Sequence, residues 1–230
     1  MLILSIDTCG PSGTVALARL SGNNLQILGQ SGLAGKTYSA QLVPSVRNLL
    51  AAHSVGLSAL SAIVVTRGPG SFTGIRIGLS TAKGLAEGHE TPLLAVSRLA
   101  VLAHKGLPPD QKVRAAALDA SRREFYFGDY SGSSINEALI TPDHFRQLSA
   151  TFGQSLAVCE ESALALAPNA TFVPPPTAAD ALGFALPRLR ARDFNDPLTL
   201  DGNYLRRSDA EIFARPAVAP PPESNPTGRP

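Results

Sequence analysis

The sequence predicts an α/β protein of two lobes, each a mixed sheet with flanking helices, the second lobe reduced. Three observations carry this. Alternating β-rich runs open the chain, and short continuous apolar runs then alternate with segments of helical period. A second strand ending in an aspartate, Val113-Arg114-Ala115-Ala116-Ala117-Leu118-Asp119, restarts the cycle halfway along. Hairpin strands first and crossover units afterwards give each sheet both antiparallel and parallel neighbours.

Taken in order, residues 2–7 alternate as a strand and residues 14–20 repeat the pattern, joined by the turn chemistry of Cys9-Gly10-Pro11-Ser12-Gly13. Gly22-Asn23-Asn24 tolerates positive φ and leads to a third run at 25–28, so the opening is a three-strand meander. Between residues 39 and 53, Leu42, Val46, Leu49 and Leu50 recur at spacings of three and four, one face of a helix whose start Pro44 bends or delays. Ala62-Ile63-Val64-Val65 suits a strand buried on both faces and breaks at Gly68-Pro69-Gly70, after which Ser71 caps a helix over 72–87. A strand at 92–96 and a helix at 97–104 complete a first lobe of residues 1–106, with Lys105-Gly106-Leu107-Pro108-Pro109 as a linker.

The second lobe, 107–213, holds paired strands at 113–119 and 124–130, a helix near 142–150, a strand at 155–158 and a helix over 179–192; its last part is free to pack back on the first lobe. Residues 214–230 are crowded with proline and poor in large apolar side chains, which predicts a disordered tail.

Composition sets the outer bounds. At 230 residues and 44% hydrophobic, the chain can fill a core. Only 17% of residues are charged and the net charge is +2, which excludes the strong field of a dedicated nucleic-acid binder. Cys9 and Cys159 have neither metal nor redox spacing and are too few for a disulfide framework, so a reducing, cytoplasmic setting is expected. The apolar start lacks a basic flank and is interrupted by Asp7, which argues against a secretory signal. No apolar run approaches the roughly 20 residues that span a bilayer, so no membrane partner is expected.

The glycine-rich stretch 67–79 matches neither a dinucleotide fingerprint nor a P-loop. Packing explains it better: Gly74, Gly78, Ala82 and Ala86 recur every four residues and make a smooth stripe on which a helix or sheet can approach closely. Ser71 is not in a Gly-x-Ser-x-Gly elbow, and Glu160-Glu161 reads as a solvated helix start.

The segment Arg67-Gly68-Pro69-Gly70-Ser71-Phe72-Thr73-Gly74-Ile75-Arg76-Ile77-Gly78-Leu79, followed by Thr81-Ala82-Lys83-Gly84-Leu85-Ala86, strongly resembles the TsaB (YeaZ) family. Ile6-Asp7-Thr8, Asp119 with Arg122-Arg123-Glu124, and Tyr204-Leu205-Arg206 fall in the matching order, so the resemblance covers nearly all of the chain except its tail. The opening hairpin is also similar to the first phosphate-binding hairpin of the actin, hexokinase and heat-shock chaperone ATPase superfamily. The resemblance implies two actin-like (ribonuclease H-like) lobes, and a degenerate phosphate hairpin in which Asp7 and Thr8 are the cofactor-facing residues.

Two departures from active relatives shape the functional expectation. The catalytic relative TsaD holds a metal with a histidine-x-x-x-histidine pair, where this chain reads Val96-Ser97-Arg98-Leu99-Ala100-Val101-Leu102-Ala103. His53, His89, His104 and His144 contain no helical pair, so no catalytic residue and no metal ligand are assigned. Active superfamily members also follow the second-lobe aspartate with glycines, whereas here Asp119-Ala120-Ser121-Arg122 carries side chains. The expectation is no tightly bound cofactor and at most weak nucleotide binding, in the isolated chain or only in a complex.

The resemblance therefore implies a non-catalytic subunit needed for threonylcarbamoyl transfer to the adenosine 3′ of the tRNA anticodon. It implies a heterodimer with TsaD through the first two helices, association with TsaE, and tRNA reached through the complex. Tyr38, Leu42, Val46 and Leu49 on the first helix, and Ile75, Leu79 and Lys83 on the second, are the partner-binding candidates. Tyr38-Ser39 stands where family members commonly have histidine-serine, which alters any contact specific to that histidine. Arg188, Arg190, Arg192, Arg206 and Arg207 offer either phosphate contacts or local ion pairs. Two other classes compete: an active ATP-dependent kinase or glycoprotease-like enzyme of the same superfamily, and a structural homodimer through the same helices.

Overall fold

A computed structural model describes residues 1–35, 37–108, 114–132 and 135–206. The first sheet contains β1 (Leu2–Asp7), β2 (Gly13–Ser21), β3 (Asn24–Leu33), β4 (Ala62–Thr66) and β5 (Leu93–Val96), ordered β3-β2-β1-β4-β5. β1 pairs antiparallel with β2, Leu4 opposite Leu17, and parallel with β4, Leu4 beside Ile63. The second sheet contains β6 (Ala115–Asp119), β7 (Phe125–Asp129), β8 (Asn136–Ile140), β9 (Leu156–Val158) and β10 (Thr171–Phe172), ordered β8-β7-β6-β9-β10. The strand order and directions repeat, so both lobes share one ribonuclease H-like plan: an antiparallel meander, then two parallel strands.

The helices divide by the face they cover. α1 (Tyr38–Ala52) and α2 (Phe72–Glu87) bury Leu42, Val46, Ile75 and Leu79 against Leu4, Ile6, Leu17 and Val65 on the outer face of the first sheet. α4 (Pro142–Phe152) and α5 (Glu161–Leu166) cover the outer face of the second, where Phe125 and Phe145 stack at 4.5 Å. Between the sheets lie α3 (Arg98–Gly106) and α6 (Ala178–Ala191), and they are exchanged. α3 packs Leu99 and Leu102 on Ala116 and Leu118 of the second sheet, while α6 returns Leu182, Ala185 and Leu189 to Ile3, Ala18 and Val64 of the first. Division by packing therefore differs from division by chain position, since α3 lies within residues 1–106 yet places Leu99, Leu102 and Ala103 in the second core.

Several elements differ from the sequence reading. β3 runs to Leu33, because its later half is a mostly exposed edge with little apolar signal. α1 begins at Tyr38, well before Pro44, which sits inside the helix without ending it. β8, α5 and β10 had no pattern to read: β8 is half-buried, α5 has 6 residues and β10 has 2. The proline-rich tail at 214–230, Arg207 and Val113 lie outside the described residues. Among the described residues no helix is long and apolar enough to cross a membrane.

Candidate interlobe cleft and outward helix face

β1 ends at Asp7 because its carboxylate takes over the hydrogen bonding of the turn. Oδ1 accepts from the backbone N–H of Cys9 at 2.9 Å and from the Thr66 hydroxyl at 2.7 Å. The Thr8 hydroxyl donates to the carbonyl of Gly74 at 2.6 Å, and the N–H of Ser71 donates to the carbonyl of Cys9 at 2.8 Å. The small-residue stripe of α2 thus receives the end of the hairpin: a side-chain carbon at Gly74 or Gly78 would collide with Thr8, and one at Gly70 with Cys9. Ser71 caps α2 by accepting from the N–H of Gly74 at 3.2 Å.

This placement corrects the assignment of Asp7 and Thr8 to cofactor contact. Both are 1% exposed, and neither lines the cleft between the lobes. The other oxygen of Asp7 faces the guanidinium of Arg98, Nε to Oδ2 3.5 Å. A metal-bound nucleotide does not fit that arrangement, because the carboxylate that would face the metal meets a fixed cation instead. From the hairpin it is Cys9, Gly10 and Pro11 that reach the cleft.

The cleft has a volume of about 1140 Å³. Its far wall carries Asp119, Ser121, Arg122 and Glu160. Ser121, Arg122 and Arg123 are all left-handed, at φ 61, 54 and 61°, where active relatives are expected to have glycine. That turn is held by Asp119, which accepts from the N–H of Ser121 and the hydroxyl of Ser162, both at 2.6 Å, and by Arg206, which donates to the carbonyls of Ala120 and Ser121. Glu160 corrects a second expectation: it is half-buried in the cleft wall, and burial raises its carboxyl above the usual range. Burial, then the Asp7 charge, push the Cys9 thiol up to about 12. The same two causes push the Tyr38 phenol up to about 12.

A strap formed by residues 195–206 closes one side. Asn195 pairs with Leu93, Asn203 donates its N–H to the carbonyl of Arg67 at 2.6 Å, and the Tyr204 ring sits 5.0 Å from Phe72. Glu137 is its anchor in the second lobe, accepting from the side chains of Asn203, Ser97 and Tyr130. Sequence reasoning singled out none of Glu137, Asn203 and Arg98 as functional, since an isolated polar residue in a short element carries no pattern.

Six of the seven partner-binding candidates are internal. Tyr38, Leu42, Val46, Leu49, Ile75 and Leu79 are buried in the first core, and the Tyr38 hydroxyl donates to the carbonyl of Gly10 at 2.8 Å. Lys83 donates to the carbonyl of Leu200 at 2.6 Å, fastening the strap. The periodicity marked the buried face, and that face meets this chain's own sheet. The outward faces are Ala40, Val43, Pro44 and Arg47 on α1, and Thr73, Ser80 and Gly84 on α2, with Ile77 on the same α2 stripe but half-buried against the first core; Val43 is 53% exposed. Arg188 pairs with Asp193 at 2.7 Å, Arg190 donates to the carbonyl of Asn23, and Arg206 pairs with Glu124 at 2.5 Å, so these three are locally engaged.

A family model described as TsaD: tRNA N6-adenosine threonylcarbamoyltransferase matches residues 31–183. A relative from Escherichia coli (strain K12), named tRNA threonylcarbamoyladenosine biosynthesis protein TsaB, is 35% identical over 131 residues, 56% of this chain and 55% of that protein. The protein of the same name from Bacillus subtilis (strain 168) is 36% identical over 143 residues, 62% of this chain and 61% of that protein. The matched stretch thus spans little more than half the length of these curated relatives. A Pseudomonas aeruginosa crystal structure, described as an uncharacterized protein with similarity to peptidase YeaZ, superposes with TM-score 0.70 at 28% identity, covering 89% of this chain and 99% of that one. A second, YeaZ from the same organism, gives TM-score 0.67 at 27% identity, covering 88% and 100%.

Proposed function

Because the chain belongs to the family that the TsaD threonylcarbamoyltransferase model describes, on the branch whose members are named TsaB, we propose that it is a non-catalytic subunit in the synthesis of threonylcarbamoyladenosine in tRNA. In this reading it binds and activates a TsaD-type transferase in the cytoplasm, works alongside TsaE, and meets tRNA only through the complex.

The observation that carries the reading is the outward face of α1 and α2. Thr73, Ile77, Ser80 and Gly84 fall on one stripe of α2, and Ala40, Val43, Pro44 and Arg47 on one stripe of α1. Side by side, the stripes are smooth, with a few apolar side chains and one cation, and a side-chain carbon at Gly84 would meet nothing. Such a surface suits close approach of a second helix pair. The hairpin supports a docking role over a catalytic one, because the Asp7 carboxylate is neutralised from within by Arg98.

The deciding experiment has two arms. Depletion of the protein should lower threonylcarbamoyladenosine in bulk tRNA, read by nucleoside mass spectrometry, and normal levels would reject the proposal. Val43→Asp and Ser80→Glu, at exposed positions of the two stripes, should abolish co-purification of the organism's TsaD homologue while leaving the melting temperature unchanged. Sedimentation of the same variants separates the competing homodimer, which would lose its dimer species while tRNA modification persisted.

A further inference from the structure

Arg98 opens α3 at the floor of the cleft and is 4% exposed. A guanidinium carries five N–H donors in a planar fork and stays charged at any physiological pH. Its ionic partner among the described residues is Asp7, at a separation of 3.5 Å, and Nε makes no hydrogen bond. No described residue accepts a hydrogen bond from the fork, whereas buried polar groups are nearly always paired. One end of the fork flanks Gly10, where any side-chain carbon would strike Nη2, so glycine keeps this end open.

The first turn of α2 borders the same cleft. Ser71 satisfies the N–H of Gly74, which leaves the amides of Phe72 and Thr73 without an intrahelical partner at the positive end of a 16-residue helix.

We infer that the cleft is a metal-independent oxyanion site, in which the buried guanidinium of Arg98 supplies the charge for a small carboxylate or phosphate and the first amides of α2 complete the cradle. Arg98 neutralises Asp7 through Nε where a divalent cation would otherwise be needed, and its Nη2 end, beside Gly10, borders the cleft. The facing wall carries Asp119 and Glu160 but also Arg122 and Arg206, so the charge that selects an anion is the one Arg98 supplies at the floor. The inference does not depend on the docking role, although Thr73 and Ile77 of the docking stripe also border the cleft.

The test uses the full chain, titrated calorimetrically with inorganic phosphate and, separately, with succinate, each in EDTA and then with Mg²⁺. Saturable binding of at least one probe, unchanged by EDTA, is expected, and the preference between them identifies the ligand class. Arg98→Gln should weaken it about tenfold, the loss that follows removal of a charge-assisted hydrogen bond, and Arg98→Lys should lose less. Arg190→Gln on α6 should bind as the parent does. Absence of saturable binding, a requirement for Mg²⁺, or equal affinity in the Arg98→Gln variant would each overturn the inference. If Arg98→Gln does not fold, the side-chain nitrogen resonances of Arg98 in the parent decide, since a bound anion must shift them and unshifted signals at saturation overturn the site.

Discussion

Arg98 and Asp7 form an ion pair inside the protein, 3.5 Å apart with their side chains 4% and 2% exposed. Asp7 is the carboxylate in ion-pair range of Arg98 among the described residues, with Glu160 acting on the guanidinium more weakly, so Asp7 and Arg98 each make the burial of the other tolerable. Arg98→Met leaves an uncompensated carboxylate and should cost about 3–5 kcal/mol. The double variant Asp7→Asn with Arg98→Met removes both charges and should recover most of that loss. Urea denaturation of the four proteins in a double-mutant cycle measures the coupling, and additive losses would show that the pair does not act as a unit.

The glycines of α2 are not equivalent. Gly74→Ala and Gly78→Ala drive a methyl into Thr8 and should each destabilise by about 1–3 kcal/mol or more. Gly84 faces open space in the same helix, so Gly84→Ala should stabilise by roughly 0.5–1 kcal/mol through helix propensity alone. Thermal denaturation of the three variants checks the opposite signs.

That contrast shows what could be read from sequence. The hairpin, the Ser71 cap and the four-residue stripe are local patterns, and each appears where periodicity and turn chemistry place it. Which sheet an apolar helix face covers is not local. Leu99 and Leu182 announce that α3 and α6 are buried, but nothing in either segment says that the two helices are exchanged. Leu42 and Leu79 misled for the same reason, since an apolar face looks alike whether it meets its own sheet or a partner. Arg98 was legible only as a departure from a histidine motif, because its pairing with Asp7 joins distant parts of the chain.

Both thiols should be inert in the folded protein. Cys9 and Cys159 are buried, and burial above all pushes each up to about 12, so little thiolate exists at neutral pH. Reaction with a colorimetric disulfide reagent should track global unfolding measured by circular dichroism. Fast labelling of either cysteine below the unfolding transition would contradict this burial.

Glu160 should make the protein less stable as pH rises through the weakly acid range. Burial is the main cause that holds its carboxyl above the ordinary value of 4.5; the hydrogen bond with Cys159, the Arg98 charge and the backbone N–H of Asp119 oppose it, and the Asp119 charge adds to it least. Between the unfolded pKa and the raised folded one, the folded state holds the proton that the unfolded state has already released. The folded state then binds more protons, so stability falls with increasing pH across that window and levels off above it. Glu160→Gln is neutral throughout and should remove this component, leaving a flatter dependence of unfolding free energy on pH from about 4.5 upward. Urea midpoints for both proteins across that range give the slopes directly. A parent slope no steeper than that of Glu160→Gln would mean that the carboxylate is solvated in the cleft wall, contrary to its burial there.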